Sequence, residues 1–99
     1  MKAEFGNIVG FQWDEGNIDK NLIAHNVENW ECEQVFFNES LLVLDDPKHS
    51  SVETRWAAFG KTDSGRLLTV IFTKRGDLLR VISARDMNRK ERAFHEANR

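Results

Sequence analysis

The run Leu67 to Thr73 is mostly apolar and rich in β-branched residues, and turn residues bound it at Asp63-Ser64-Gly65 and Arg75-Gly76-Asp77. That pattern predicts a buried strand between tight turns. Leu78 to Ala84 repeats the composition after only Lys74 to Asp77, so the two runs are expected to pair as an antiparallel hairpin, closed by Gly76 at positive φ. Before the hairpin, Arg55 to Lys61 and Ser40 to Asp46 read as further strands, the latter stopped by Pro47, with Lys48 to Glu53 as a polar loop between them. Phe5 to Trp13 alternates weakly and predicts a short first strand ending at Trp13.

The helical period appears in three places. Asp14 reads as an N-cap, with Ile18, Leu22 and Ile23 as the apolar face of a helix of about three turns ending at His25-Asn26. Asn29 caps a second helix through Trp30, Val35, Phe36 and Phe37, with Glu28, Glu31 and Glu33 near its start. Asn88 followed by Glu91 is a capping-box pattern for a short charged helix from Arg89 to Ala97, whose one large apolar residue is Phe94 and whose His95 is expected to be solvated. The expected class is α+β: a small antiparallel β-sheet with two N-terminal helices and one C-terminal helix, in one domain over residues 1–99.

Composition narrows the function classes. No apolar run reaches the roughly 20 residues of a spanning helix. The N-terminus lacks the layout of a signal peptide. The lone Cys32 reads as a small buried hydrophobe in a reducing compartment. A cytoplasmic location without membrane association is therefore expected. The net charge of −2 hides an asymmetry: residues 1–54 hold three Lys or Arg against eleven acids, and residues 55–99 hold eleven against five. A compact domain built from such halves can present one basic and one acidic face, as a selective polyanion binder would. The hairpin concentrates the cations, with Arg66, Lys74, Arg75, Arg80 and Arg85 on it or at its ends. Guanidinium groups suit bidentate contact with phosphate, which points to an RNA-handling surface. Strand arginines that merely keep a half-exposed sheet soluble would look the same.

The succession FQWDE, KNLIAHNV, VFFN and LDDPKHSSVETRWAAFGKTDSGRLLTVIFTKRGDLLRVISARDMNRKER resembles the BrnT family of bacterial toxins, from about Phe11 to Glu96. Its most specific pieces are DPKHS, GRLLTVIFTKRGD and RVISARDMNRKER. The resemblance implies a RelE-like microbial-ribonuclease fold and a metal-independent endoribonuclease that inhibits translation. It also implies a BrnA-like ribbon-helix-helix antitoxin as partner, operator DNA bound only through that antitoxin, and a heterotetramer of two toxins and two antitoxins. The family's last helix usually carries Tyr in a pattern ER..YE, whereas this chain has Glu91-Arg92-Ala93-Phe94-His95-Glu96 and no tyrosine anywhere. Any role for a phenol is absent or passes to His95.

Metal-free RNA cleavage needs a base for the 2′-hydroxyl proton, cations for the charge growing on phosphate and an acid for the leaving oxygen. The expected assignment places Arg55 and Arg85 on the phosphate, His49 or Glu53 as proton carrier, and Lys61, Arg66 and Arg80 along the RNA backbone, with RNA as substrate. Strict alternation sends Arg80 and Arg85 to opposite faces of their strand unless a bulge intervenes. Glu53 and Arg55 pairing only with each other at the surface is the structural alternative. His25, His49 and His95 are far apart in sequence and no spacing matches that of a metal site, so neither metal nor organic cofactor is expected. Two other functions fit the same residues. One is a non-catalytic interaction protein acting as an antitoxin-bound co-repressor, and the other is a plain RNA-binding domain with salt-sensitive binding and no product.

Overall fold

The computed structural model describes residues 7–49 and 52–99, the side chain of His49 excepted. Its elements are β1 (Gly10–Phe11), α1 (Lys20–His25), α2 (Asn29–Phe37), β2 (Leu42–Asp45), a 3₁₀ turn (Pro47–His49), β3 (Trp56–Lys61), β4 (Leu67–Arg75), β5 (Leu78–Asp86) and α3 (Arg89–Asn98). The strands form one sheet in the order β1-β5-β4-β3-β2. Every pairing among the described residues is antiparallel except β1 with β5, where Gly10 and Phe11 lie beside Leu78 and Leu79. The α+β class is as expected. The β4–β5 turn is tighter than expected, because Arg75 pairs directly with Leu78 and leaves only Gly76 and Asp77 to reverse the chain. Gly76 has φ +61°, the left-handed conformation that primed hairpin turns require of their first residue.

Alternation divides the sheet into two unlike faces. Val43, Ala58, Leu68, Val70, Phe72, Leu79, Val81 and Ala84 point to one side, where Val27, Cys32, Val35 and Phe36 meet them in the main core. Phe72 sits at the centre, 5.0 Å from Phe36 edge-on and 5.7 Å from Trp56 in a stack. Gly60 allows α2 to approach β3, since a Cβ there would lie 3.0 Å from a Val35 methyl. Burial pushes the Cys32 thiol up to about 12, and the neighbouring Glu31 carboxylate adds to the shift. The thiol is therefore inert packing.

The opposite face is covered only in part. Leu42, Leu67, Ala57, Phe59, Ile71 and Met87 form a small second cluster, and Phe94 of α3 packs its ring 6.0 Å from that of Phe59. The capping box at Asn88 and Glu91 starts α3 as expected. His95 departs from expectation: it is 3% exposed, and its Nε2 lies 2.7 Å from the carbonyl of Ser40, pinning the helix to the α2–β2 connection.

The first helix also departs. It has six residues rather than three turns, and its apolar positions face out, Ile23 being 83% exposed. The residues buried here are Asn17 in the preceding turn and Asn21. The reason lies on β5, whose outer edge β1 covers for only two residues. Beyond them, Asn17 Nδ2 donates to the carbonyl of Val81, Lys20 Nζ to that of Ile82, and the Ala84 N–H donates to Asn21 Oδ1. Unpaired backbone groups on a sheet edge need partners, and here the turn and α1 supply them from side chains. Asn17 also receives the Asp14 N–H and donates to the Gln12 carbonyl, so Asp14 serves this turn and not a helix cap. Asn17→Ala is expected to destabilise the fold by about 1–3 kcal/mol, because it strands buried backbone groups. Chemical denaturation checks this.

α2 begins one residue earlier than expected. Glu28, not Asn29, is its N-cap and forms a capping box with Glu31. Among the described residues no helix is long and apolar enough to cross a membrane.

Candidate active site

The face of the sheet opposite α1 and α2 gathers most of the candidate residues. The decisive local feature is a bulge in β5: Val81 pairs with Phe72 and Ser83 with Ile71, so Ile82 is an extra residue. The bulge resets the alternation. Arg80, opposite Thr73, and Arg85, opposite Thr69, therefore project from the same face, separated by about 13 Å along the strand direction. Arg55 precedes Trp56, the partner of Phe72, and so falls in the row of Thr73 and Arg80, about two strand spacings or 10 Å from Arg80. The part of this face not occupied by α3 thus carries Arg55, Arg75, Arg80 and Arg85.

Each guanidinium is held by a carboxylate. Glu53 lies 3.5 Å from Arg55 and 3.1 Å from Arg75, which grips it through both Nε and Nη2. The Glu53–Arg55 surface pair is present, but it belongs to a three-residue cluster that includes Arg75. Residue type alone gives Arg75 no role beyond that of a hairpin cation. Its pairing with Leu78 at the end of the hairpin is what sets it on this face. Arg80 Nη1 donates to Asp14 Oδ2 at 2.7 Å and to Gln12 Oε1 at 3.0 Å. The Arg80 guanidinium holds the Asp14 carboxyl below the usual carboxylate range. Arg85 makes a bidentate pair with Glu91 at 2.7 and 2.9 Å. Glu91 also accepts from Thr69 Oγ1 and from the Asn88 N–H. Burial raises the Glu91 pKa, but the hydrogen bonds from Arg85, Asn88 and Thr69 outweigh it and leave the group ionised more readily than an ordinary glutamate.

Two candidates stand apart from this set. All five N–H groups of Arg66 are used: Nε and Nη2 on Asp86, Nη1 on Glu31 and the Asn26 carbonyl, and the other Nη2 hydrogen on the His25 carbonyl. That is a clasp joining the α1–α2 connection to the β4–β5 end of the sheet, with no donor left for an RNA backbone. Lys61 ends β3 beside the C-terminal residues of α3, where it lines a groove of about 810 Å³ with Phe37, Asn38, Ser40, Glu96 and Arg99. His49 ends the 3₁₀ turn, and its side chain lies outside the described residues. Among the described residues no group of three His, Cys, Asp or Glu is arranged to hold a metal ion.

The lowered carboxyl groups set an acid limit. Asp86 is held down first by the Arg66 hydrogen bond, and Glu91 by the net of the contacts above. Folded-state values below the ordinary 3.8 and 4.5 mean that their stabilisation is complete above those values and is lost as pH falls through the folded ones. The melting temperature is expected to hold from neutrality to about pH 4.5 and to drop below it. Asp86→Asn should flatten that acid limb in a thermal melt series.

A five-stranded, mostly antiparallel sheet with α1 and α2 on one side, and α3 beside a set of arginines on the other, defines an α+β protein with a cationic, carboxylate-braced surface. The chain belongs to the BrnT family: the family described as the ribonuclease toxin BrnT of type II toxin-antitoxin systems matches residues 13–91. The fold is similar to the crystal structure of the Brucella abortus ribonuclease toxin BrnT, with a TM-score of 0.60 and 24% sequence identity over 82% of this chain and 99% of that one. No curated protein sequence matches the chain.

Proposed function

We propose that this chain is a metal-independent endoribonuclease that arrests translation by cutting RNA and is neutralised by a BrnA-like ribbon-helix-helix antitoxin. The observation that carries the reading is that Arg55, Arg75, Arg80 and Arg85 share one sheet face of a ribonuclease-toxin family member. In this mechanism the 2′-oxygen attacks the adjacent phosphorus and the 5′-oxygen leaves, giving a 2′,3′-cyclic phosphate and a 5′-hydroxyl. Arg85 and Arg55 stabilise the charge that builds on the non-bridging oxygens. Glu53 or His49 is the proton carrier, which takes the 2′-hydroxyl proton and gives one to the departing 5′-oxygen, and two arginine partners hold the Glu53 carboxylate in place. Arg80 steers the backbone.

What supports a protein partner is the other side of the molecule. Ile23, Trp30 and Phe37 are exposed on α1 and α2, with Phe37 78% accessible, and they give an antitoxin apolar surface to bury. Operator binding through that antitoxin, in a heterotetramer, completes the proposal.

The purified chain is expected to cut RNA in EDTA and leave cyclic-phosphate ends, and its expression should stop growth until a cognate antitoxin is co-expressed. Tolerated expression without RNA fragments would leave the co-repressor role in its place.

A further inference from the structure

Arg85 has five N–H donors in a fixed planar fork. Glu91 takes one hydrogen from each Nη end-on, at 2.7 and 2.9 Å, and the Asp86 carbonyl takes the other Nη1 hydrogen at 3.2 Å. Among the described residues no acceptor meets Nε–H or the second Nη2 hydrogen. These two form the side edge of the guanidinium, which matches two oxygens of a phosphate. The side chain is 39% exposed, so that edge has access to solvent. Arg66 shows the contrasting case, a clasp with all five donors consumed.

Glu91 is itself immobilised. Its Oε1 accepts from Arg85, from Thr69 on β4 and from the Asn88 N–H at the start of α3, and its side chain is largely buried. One carboxylate thus ties helix, sheet and guanidinium together. We propose that Glu91 is a positioning residue for RNA cleavage, which fixes Arg85 so that its Nε–Nη2 edge is presented to the scissile phosphate. The inference rests on the reading of Arg85 as a phosphate-binding residue. It gives α3 a part in the reaction without placing any of its side chains on the substrate.

The test compares Arg85→Ala, Glu91→Gln, the double variant and Asn88→Ala in steady-state RNA cleavage, alongside binding of a 2′-O-methyl RNA that cannot react. Glu91→Gln retains an acceptor for the helix cap but not the charged bidentate grip. Its kcat should fall about 10²-fold, the scale of a misplaced catalytic group, with affinity for the unreactive RNA little changed. In the Arg85→Ala background the Gln substitution should cost nothing more, because both changes act through one guanidinium. Asn88→Ala loosens the cap while leaving the Arg85–Glu91 pair, and should retain kcat. Wild-type or faster cleavage by Glu91→Gln would overturn the proposal. So would losses that add in the double variant, or an equal loss in Asn88→Ala, which would make α3 docking the cause. If Arg85→Ala itself cleaves at full rate, the phosphate-binding reading of Arg85 fails first and takes this one with it.

Discussion

Arg55→Ala combined with Arg85→Ala is expected to reduce RNA cleavage by at least about 10²–10³-fold, the cost of removing a preorganised charge contact from a transition state. The two residues approach the open face from different directions, Arg55 at the start of β3 and Arg85 near the end of β5. Their partners predict different side effects. Removing Arg55 leaves Glu53 paired with Arg75, so the exposed cluster survives. Loss of Arg85 leaves a mostly buried Glu91 with only Thr69 and Asn88, so some stability goes with the activity. Cleavage assays run well below the melting temperature of each variant separate the two effects. Unchanged cleavage by the double variant would remove both arginines from the mechanism.

Phe72→Ala is expected to cost about 3–5 kcal/mol, the range for a large aromatic removed from a packed core. Phe72 is fully buried between Phe36 of α2 and Trp56 of β3, so its ring joins helix layer to sheet. A domain of this kind has only about 5–15 kcal/mol in total, and such a loss should bring it near unfolding at growth temperature. Denaturant titration should show a large drop in midpoint with a similar slope. A loss under about 1 kcal/mol would mean that the two layers are not held together through this ring.

Much of the scaffold is legible in the residues. The β4–β5 hairpin, the strand at Arg55 to Lys61 and the cap of α3 are each written in local pattern: apolar β-branched runs, a glycine at the turn, and Asn88 three before Glu91. The expectation for α1 fails because its role is set by hydrogen bonds to strand positions more than sixty residues away. Apolar spacing at Ile18, Leu22 and Ile23 points to a buried face, but the open edge of β5 needs amides more than it needs methyl groups. Glu28 is hard to pick out as a cap because glutamate is a less favoured choice there than the neighbouring Asn29.

The site is half legible for the same reason. Residue type marks the arginines, but whether Arg80 and Arg85 share a face depends on the extra residue at Ile82, and nothing in the sequence announces it. Arg66 and Lys61 are cations like the others, and only tertiary context separates them: one is consumed by Asp86 and Glu31, the other sits at the end of β3 in a groove with Glu96 and Arg99 of the α3 end. The charge of its helix makes His95 read as solvated, yet it faces inward and meets the Ser40 carbonyl.

The most direct test of the arginine face is to map where RNA binds. In an NMR titration with a 2′-O-methyl RNA oligonucleotide, the largest shifts should fall on Ile71, Thr73 and Ser83 and on the side chains of Arg55, Arg80 and Arg85. Shifts confined to α1 and α2, or to the groove around Lys61, would contradict it.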